Sequence, residues 1–393
     1  MTNFKFNHRI KALSLFANVG IAETYLNEIG VEVVIANELL EERAKFYNHL
    51  YPEVDMIVGD ITDQNVFNKI KIAAEKENID FMLATPPCQG MSCAGRKDPY
   101  DPRNFLIYYA IEMAKALRPR FVLFENVTMQ QHTKITLNGK SVYIPEYVES
   151  ELGDYYTFNS DRIINTMDYG VPQSRQRYIY LLVRKEEGIK WEFPDKESHI
   201  ITLKEAIGHL PSLDPYIREA SERWHFPDFE KKKQEGLKVS KWHTPPTHGW
   251  RNVEWMIHTP SGRSAFQNET FFPMHKGRRV KGAPRTYMRM FWDKPATTVM
   301  QNSNVISAFS TVHPGRCLVD SEDDTKRVYS DARALTIYEL LIVSSLPLNW
   351  NIPEWASDIL IRRVIGEGIP PLLIKKLVQS LIKIGNYDRN NNF

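Results

Sequence analysis

Short, largely apolar runs alternate with longer amphipathic stretches along the first third of the chain. The runs at 11–16, 31–36, 56–58, 81–84 and 121–124 are rich in Val, Ile, Leu and Phe, the pattern of strands buried on both faces. Between them, residues 21–29, 38–50, 65–77 and 104–117 have the length and spacing of helices, and Pro52 and Pro119 close two of them. Strand then helix, repeated, predicts an α/β fold with a doubly wound parallel sheet. A further run, RYIYLLV at 177–183, predicts one more strand. Helical patterning returns at 336–345 and 370–384, ahead of a polar tail, NYDRNNNF.

Between these two patterned regions the character changes. From Lys238 to Arg289 ten Lys or Arg stand against two acids, Glu254 and Glu269, with seven aromatics interleaved. This segment carries +8 in a chain whose net charge is +2, so the remainder sums to −6 by subtraction. Frequent Pro and Gly (TPPTHGW, TPSGR, KGAP) favour loops and short strands there. Three segments are expected: a first domain over 1–185, a smaller loop-rich domain over 186–330, and C-terminal helices over 331–393 that return to the first domain.

At 393 residues, 42% hydrophobic and 25% charged, the chain can bury a sizeable core, which excludes disordered and fibrous classes. Its three cysteines, Cys88, Cys93 and Cys317, include no CxxC pair and make neither a disulfide framework nor a zinc site. Asn18 and Glu23 interrupt the apolar N-terminal stretch, no AxA-like cleavage site follows, and no run approaches the roughly 18 apolar residues of a membrane span. A cytoplasmic protein is expected.

In an open α/β sheet ligands bind at the carboxyl ends of the strands, so the polar residues there carry the chemistry. After the first run comes FANVGIAE, a turn through Gly20 where a backbone can approach a nucleotide-like ligand. The second ends in Glu38, a carboxylate placed to accept ribose hydroxyls, and the third in Asp60-Ile61, where an acid can meet an adenine amino group. An N-cap or first-turn acid would occupy the same places. The fourth ends in PPCQG. Two prolines stiffen the approach to Cys88, and a thiolate held there is suited to attack an electrophilic carbon.

The fifth ends in Glu125-Asn126, and a carboxyl closing a hydrophobic strand is desolvated, which lets it donate a proton near neutrality. The pair suits a cytosine ring, whose C5 becomes nucleophilic once C6 has been attacked. Cys88 would add at C6 while Glu125 contacts N3 and the exocyclic amine.

Taken in order, PPCQG at 86–90, ENV at 125–127, Gln173, Arg175 and Arg177 within YGVPQSRQRYIY, the basic segment, and DARALTIYELLIVSSLP at 331–347 resemble the DNA (cytosine-5)-methyltransferases. The resemblance covers nearly all of residues 10–385. It implies a Rossmann-like S-adenosyl-L-methionine-dependent sheet with a smaller DNA target-recognition domain. Cys88, Glu125, Arg175 and Arg177 would be catalytic: the nucleophile, the acid on the flipped base, the support of a closed loop, and the ligand of the cytosine carbonyl. Phe16, Gly20, Glu38, Asp60, Ile61 and Pro86 would line the cofactor site, with Phe16 stacked on adenine. The chain departs from the family at Asn18 and Ile21 in the first loop, and at Glu367, where Gly-Asn is usual.

The resemblance further implies double-stranded DNA as substrate, with the cytosine taken out of the stack. It also implies a restriction-modification setting with a cognate endonuclease. A monomer suffices for this chemistry. Two other readings share the motifs: a tRNA cytosine-5 methyltransferase, and a DNA-binding relative that has lost catalysis.

Overall fold

The computed structural model describes residues 9–87, 102–137, 140–323 and 325–390. The chain divides into two compact units: the described residues of Met1–Tyr169, Gln176–Glu197 and Pro370–Phe393, and those of Gly170–Arg175 and Ser198–Ile369.

The first unit follows the expected alternation. Its elements run β1 (Ile10–Leu15), β2 (Val31–Glu38), α1 (Glu41–Leu50), β3 (Asp55–Val58), α2 (Gln64–Glu77), β4 (Phe81–Ala84), α3 (Leu106–Leu117) and β5 (Phe121–Asn126). A hairpin of β6 (Lys134–Leu137) and β7 (Lys140–Tyr143) follows, then α4 (Ile144–Leu152), β8 (Tyr156–Phe158), β9 (Ile163–Asn165) and β10 (Gln176–Arg184). The sheet has the order β3-β2-β1-β4-β5-β10-β8, with β9 also on β10. Strands β1 to β5 are parallel, whereas β10 runs antiparallel to β5.

Every residue of β4 is buried, as a central strand covered on both faces requires. Local signals set the helix ends: the Asp63 carboxylate accepts from Asn65 N at 2.7 Å to start α2, and Arg118, at φ +47°, ends α3 just ahead of Pro119. Residues 21–29, expected to be helical, instead form turns that close with one 3-10 turn at Asn27–Ile29. Two contacts account for it. The Thr24 hydroxyl bonds back to Ile21 O at 2.8 Å, while Glu23 points inward to accept from Tyr47 OH of α1, so one polar group is held by a local turn and the other by a tertiary contact. The helix Pro371–Asn390 belongs to this unit, where the Leu377 carbonyl accepts from the buried Trp191 indole at 2.9 Å.

The second unit is loop-rich, as its Pro and Gly content predicts, and is organised around buried charge. Arg333 is fully buried and donates to Glu339 at 2.8 and 2.9 Å and to Asp331 at 2.8 Å. Arg289 donates to the carbonyls of Met256, His313 and Asp331. A capping box of Thr336 and Glu339 opens the helix Ile337–Val343. Because Asp331, Arg333 and Glu339 tie this stretch to Leu213 and Ser212, residues 331–369 fall in the second unit, and only the chain from Pro370 rejoins the first. The expected boundary at 331 therefore shifts to 370. Among the described residues no helix is long and apolar enough to cross a membrane.

Candidate active site

The antiparallel register of β5 and β10 builds the centre of the site. It pairs Glu125 with Ile179, so Arg177, two residues along β10, lies on the same face as a diagonal neighbour. Arg177 Nε stands 2.6 Å from Glu125 Oε1, and each side chain is only about a tenth exposed, at 10% and 11%. Arg177 also donates to the Gln176 carbonyl at 2.7 Å. The desolvated carboxyl anticipated at the end of β5 thus has a charged partner that strand-end reasoning did not include. A charge-assisted pair of this kind fixes the orientation of both groups.

Cys88 lies outside the described residues, as do Cys93 and the rest of the stretch to residue 101. The chain leading to Cys88 is described. The Thr85 hydroxyl donates to the Phe16 carbonyl at 3.2 Å, and the buried Pro86 offers its carbonyl to Asn126 Nδ2 at 3.2 Å. Asn126 also accepts from Val127 N at 2.8 Å. Asn126, for which the sequence suggested no role, therefore ties the Pro86 turn to the strand that carries Glu125.

The first loop is wound through left-handed backbone at three places: Phe16 at φ +57°, Asn18 at +52° and Gly20 at +80°. Asn tolerates this region better than any other residue except Gly, which explains how Asn18 can stand in a glycine's place. At Gly20 a side chain fails twice, since a Cβ would also lie 2.2 Å from the Tyr51 ring. The Tyr51 hydroxyl donates to the Gly20 carbonyl at 2.8 Å. Glu38 locks the loop from β2: its two carboxylate oxygens accept from Asn18 N at 2.9 Å and Leu40 N at 3.0 Å. Asn37 adds bonds to the carbonyls of Ile57 and Gly59, joining the ends of β2 and β3.

Asp60 is exposed and accepts from Thr62 N at 2.9 Å, whereas the Ile61 side chain, 3% exposed, belongs to the core beneath. Leu39 and Leu40 are 56% and 46% exposed directly after Glu38. The sequence pattern counted them toward a helix beginning at 38; with α1 starting at Glu41, they are left as apolar surface beside a carboxylate.

Gln173, Arg175 and Arg177 divide between the units. Arg175 is buried in the second, where it donates to the carbonyls of Val299 at 2.9 Å, Gly366 at 3.0 Å and Glu367 at 3.2 Å. Gln173 donates to Val343 O and accepts from Val299 N. Only Arg177 belongs to the first unit, with Glu125.

The profile of the C-5 cytosine-specific DNA methylase family matches residues 10–383. The chain belongs to this family. This methylase is 40% identical over 378 residues to the Type II methyltransferase M1.HgaI of Avibacterium volantium, spanning 95% of this chain and 98% of that one. It is 26% identical over 351 residues to the Type II methyltransferase M.Eco47II of Escherichia coli, spanning 88% and 72%. Its fold resembles that of a prophage-encoded DNA modification methyltransferase from Escherichia coli, with a TM-score of 0.64 at 17% identity over 96% of this chain and 99% of that one.

The family is dependent on S-adenosylmethionine, and the donor set of this methylase fits that molecule. Two carboxylates stand at the ends of neighbouring strands, Glu38 and the exposed Asp60, and the exposed Leu39 and Leu40 follow Glu38, which holds the left-handed first loop through Asn18 N. That is hydroxyl-accepting and ring-packing chemistry side by side.

Proposed function

We propose that this methylase transfers a methyl group to C5 of cytosine in double-stranded DNA, within a Type II restriction-modification system that includes a cognate endonuclease, and that it works as a monomer. The observation that carries the reading is the Glu125–Arg177 pair at 2.6 Å, on the strand whose next residue holds the carbonyl two positions before Cys88.

The target cytosine leaves the stack, because C6 of a paired base cannot be reached by a protein thiol. Cys88 Sγ forms a bond to C6, and the electrons of the C5=C6 bond move to C5. Glu125 bonds N3 and the exocyclic amine, and Arg177 holds the base carbonyl oxygen while fixing Glu125. S-adenosylmethionine, when bound, would supply the electrophilic methyl carbon: the pair at C5 would form the C5–CH3 bond as the methyl–sulfur bond breaks, its electrons staying on the departing thioether. The C5 proton then passes to a base, the C6–S bond breaks, and the thiolate departs with its electron pair. Glu38 binds the cofactor's ribose and Asp60 the edge of its adenine, with the Ile61 backbone beside it, since the Ile61 side chain is buried; Phe16 and Leu39 pack on the ring, and Gly20 and Pro86 shape the backbone around it. Arg175 holds the second unit's backbone at Val299, Gly366 and Glu367.

Bisulfite sequencing of DNA from cells expressing the wild type should show methylated cytosines in one sequence context. Cys88→Ser should leave DNA binding intact and abolish that signal. Methyl incorporation surviving in Cys88→Ser would overturn the thiol mechanism, and incorporation into tRNA but not duplex DNA would overturn the substrate.

A further inference from the structure

Within the second unit, Met274-His275 pairs antiparallel with Arg278-Arg279 to form a short hairpin. Its two central residues, Lys276 and Gly277, both have positive φ, at +49° and +74°, the signature of a tight primed turn whose twist matches the strands. Such a turn is stiff and points its flanking side chains outward from one tip. The base is closed by Val280 N donating to Pro273 O at 2.9 Å, and Arg279 lies 4.2 Å over the Phe272 ring.

Every residue from Met274 to Arg279 is exposed. Lys276, Arg278, Arg279, Lys281 and Arg285 crowd this stretch, and no Asp or Glu occurs between Glu269 and Asp293. Among the described residues the ion pairs of this unit stop at Lys238–Glu235 and resume at His313–Asp331, so no described acid neutralises the hairpin's cations. Gathering like charges on a rigid tip costs stability unless a polyanion meets them. A two-stranded ribbon also has the width that the major groove of B-DNA admits.

We propose that the hairpin Met274–Arg279 is a DNA-contacting finger whose Lys276 and Arg278 bind backbone phosphates of the duplex, supplying affinity that does not depend on base sequence. The proposal rests on the function proposed above and locates part of its DNA grip in one six-residue element. Arg279, braced on Phe272, keeps the finger's root in place.

The test compares the wild type with Lys276→Ala/Arg278→Ala in the full chain, measuring duplex affinity by fluorescence anisotropy across salt and S-adenosylmethionine binding by calorimetry. Loss of two phosphate contacts should flatten the plot of log affinity against log salt by about 1.8 and weaken binding roughly sixty-fold at about 0.1 M salt. Cofactor binding should be unchanged, and Lys276→Arg/Arg278→Lys should keep the wild-type slope. An alanine variant with wild-type slope and affinity would overturn the finger while leaving DNA methylation standing. A wild type that neither binds nor methylates duplex DNA would overturn both.

Discussion

Glu125 and Arg177 show how much one residue's position depends on its neighbour's strand. Neither is distinctive as a residue type, yet the β5–β10 register brings them to 2.6 Å in a setting nearly closed to water. Glu125→Gln keeps the shape and removes the carboxyl group that pairs with Arg177 and is proposed to bond N3. Single-turnover methylation should slow by about 10²-fold or more, the size of a lost general acid, with S-adenosylmethionine affinity unchanged. Asn126→Ala should act differently, since it frees the Pro86 carbonyl without touching the base. A drop in kcat with little change in KM for DNA, restored in part by Asn126→Ser, would mark it as a positioning residue for the Cys88 approach. Gly20→Ala combines a strained φ with a 2.2 Å clash against Tyr51, and should weaken cofactor binding by calorimetry far more than substitution at the exposed Asp60.

Elements divide the labour more finely than motifs do. The stretch Gln173–Arg177 reads as one motif along the chain, but its alternate residues serve different units: Gln173 and Arg175 hold the backbone of Val299, Val343 and Gly366, and Arg177 holds Glu125. Three carbonyls depend on the Arg175 guanidinium. Arg175→Met should therefore destabilise the protein by about 3 kcal/mol or more, as expected when a buried charged donor is removed and its acceptors are left unpaired. Urea unfolding should show the shift in midpoint, whereas Arg177→Met should mainly reduce turnover. At the first loop, Glu38 accepts two backbone N–H groups, so the residue expected to hold ribose also shapes the turn. Glu38→Gln should accordingly lower cofactor affinity and stability together.

Across the whole molecule, individual buried groups answer pH in opposite senses. In the first unit, burial pushes the Glu23 carboxyl up to about 7, only partly offset by hydrogen bonds from Ser14 and Tyr47. The folded state then holds a proton that the unfolded chain releases near pH 4.5, so this group's contribution is full at lower pH and is lost as pH rises toward about 7. In the second unit Arg333 holds the Glu339 carboxylate down to about 2 against the cost of burial, and burial holds the His313 imidazole down to about 4. Here the unfolded chain binds the extra protons. Stability is full above about pH 6.5 and falls with acid, first as unfolded histidine protonates and then as unfolded carboxylate does. Unfolding free energies of wild type and Glu23→Gln, compared between pH 5 and 8, should show the wild type losing ground to the variant by up to about 3 kcal/mol as pH rises. A constant difference would show that Glu23 is not buried as a neutral acid.

The chain alone determined the order of β1 to β5 with α1, α2 and α3 among them, because a strand covered on both faces, as β4 is, must be continuously apolar and helices on its flanks must be amphipathic. It also placed Glu38, Asp60, Pro86 and Glu125 at strand ends, since polar residues following such runs have few other places to go. What it left undecided were pairings between residues far apart. The partnership of Glu125 with Arg177 depends on antiparallel register, the commitment of Arg175 to Val299 and Gly366 on which unit a crossing strand joins, and the burial of Ile61 on the core beneath it. The segment 21–29 had helical spacing, but Thr24 bonded back to Ile21 and Glu23 met Tyr47 of α1, and Leu39 and Leu40 became surface once α1 began at Glu41. Local periodicity reports which face of an element is apolar; only the folded chain decides which polar group meets which, because those contacts are set by backbone geometry between segments that the sequence keeps far apart.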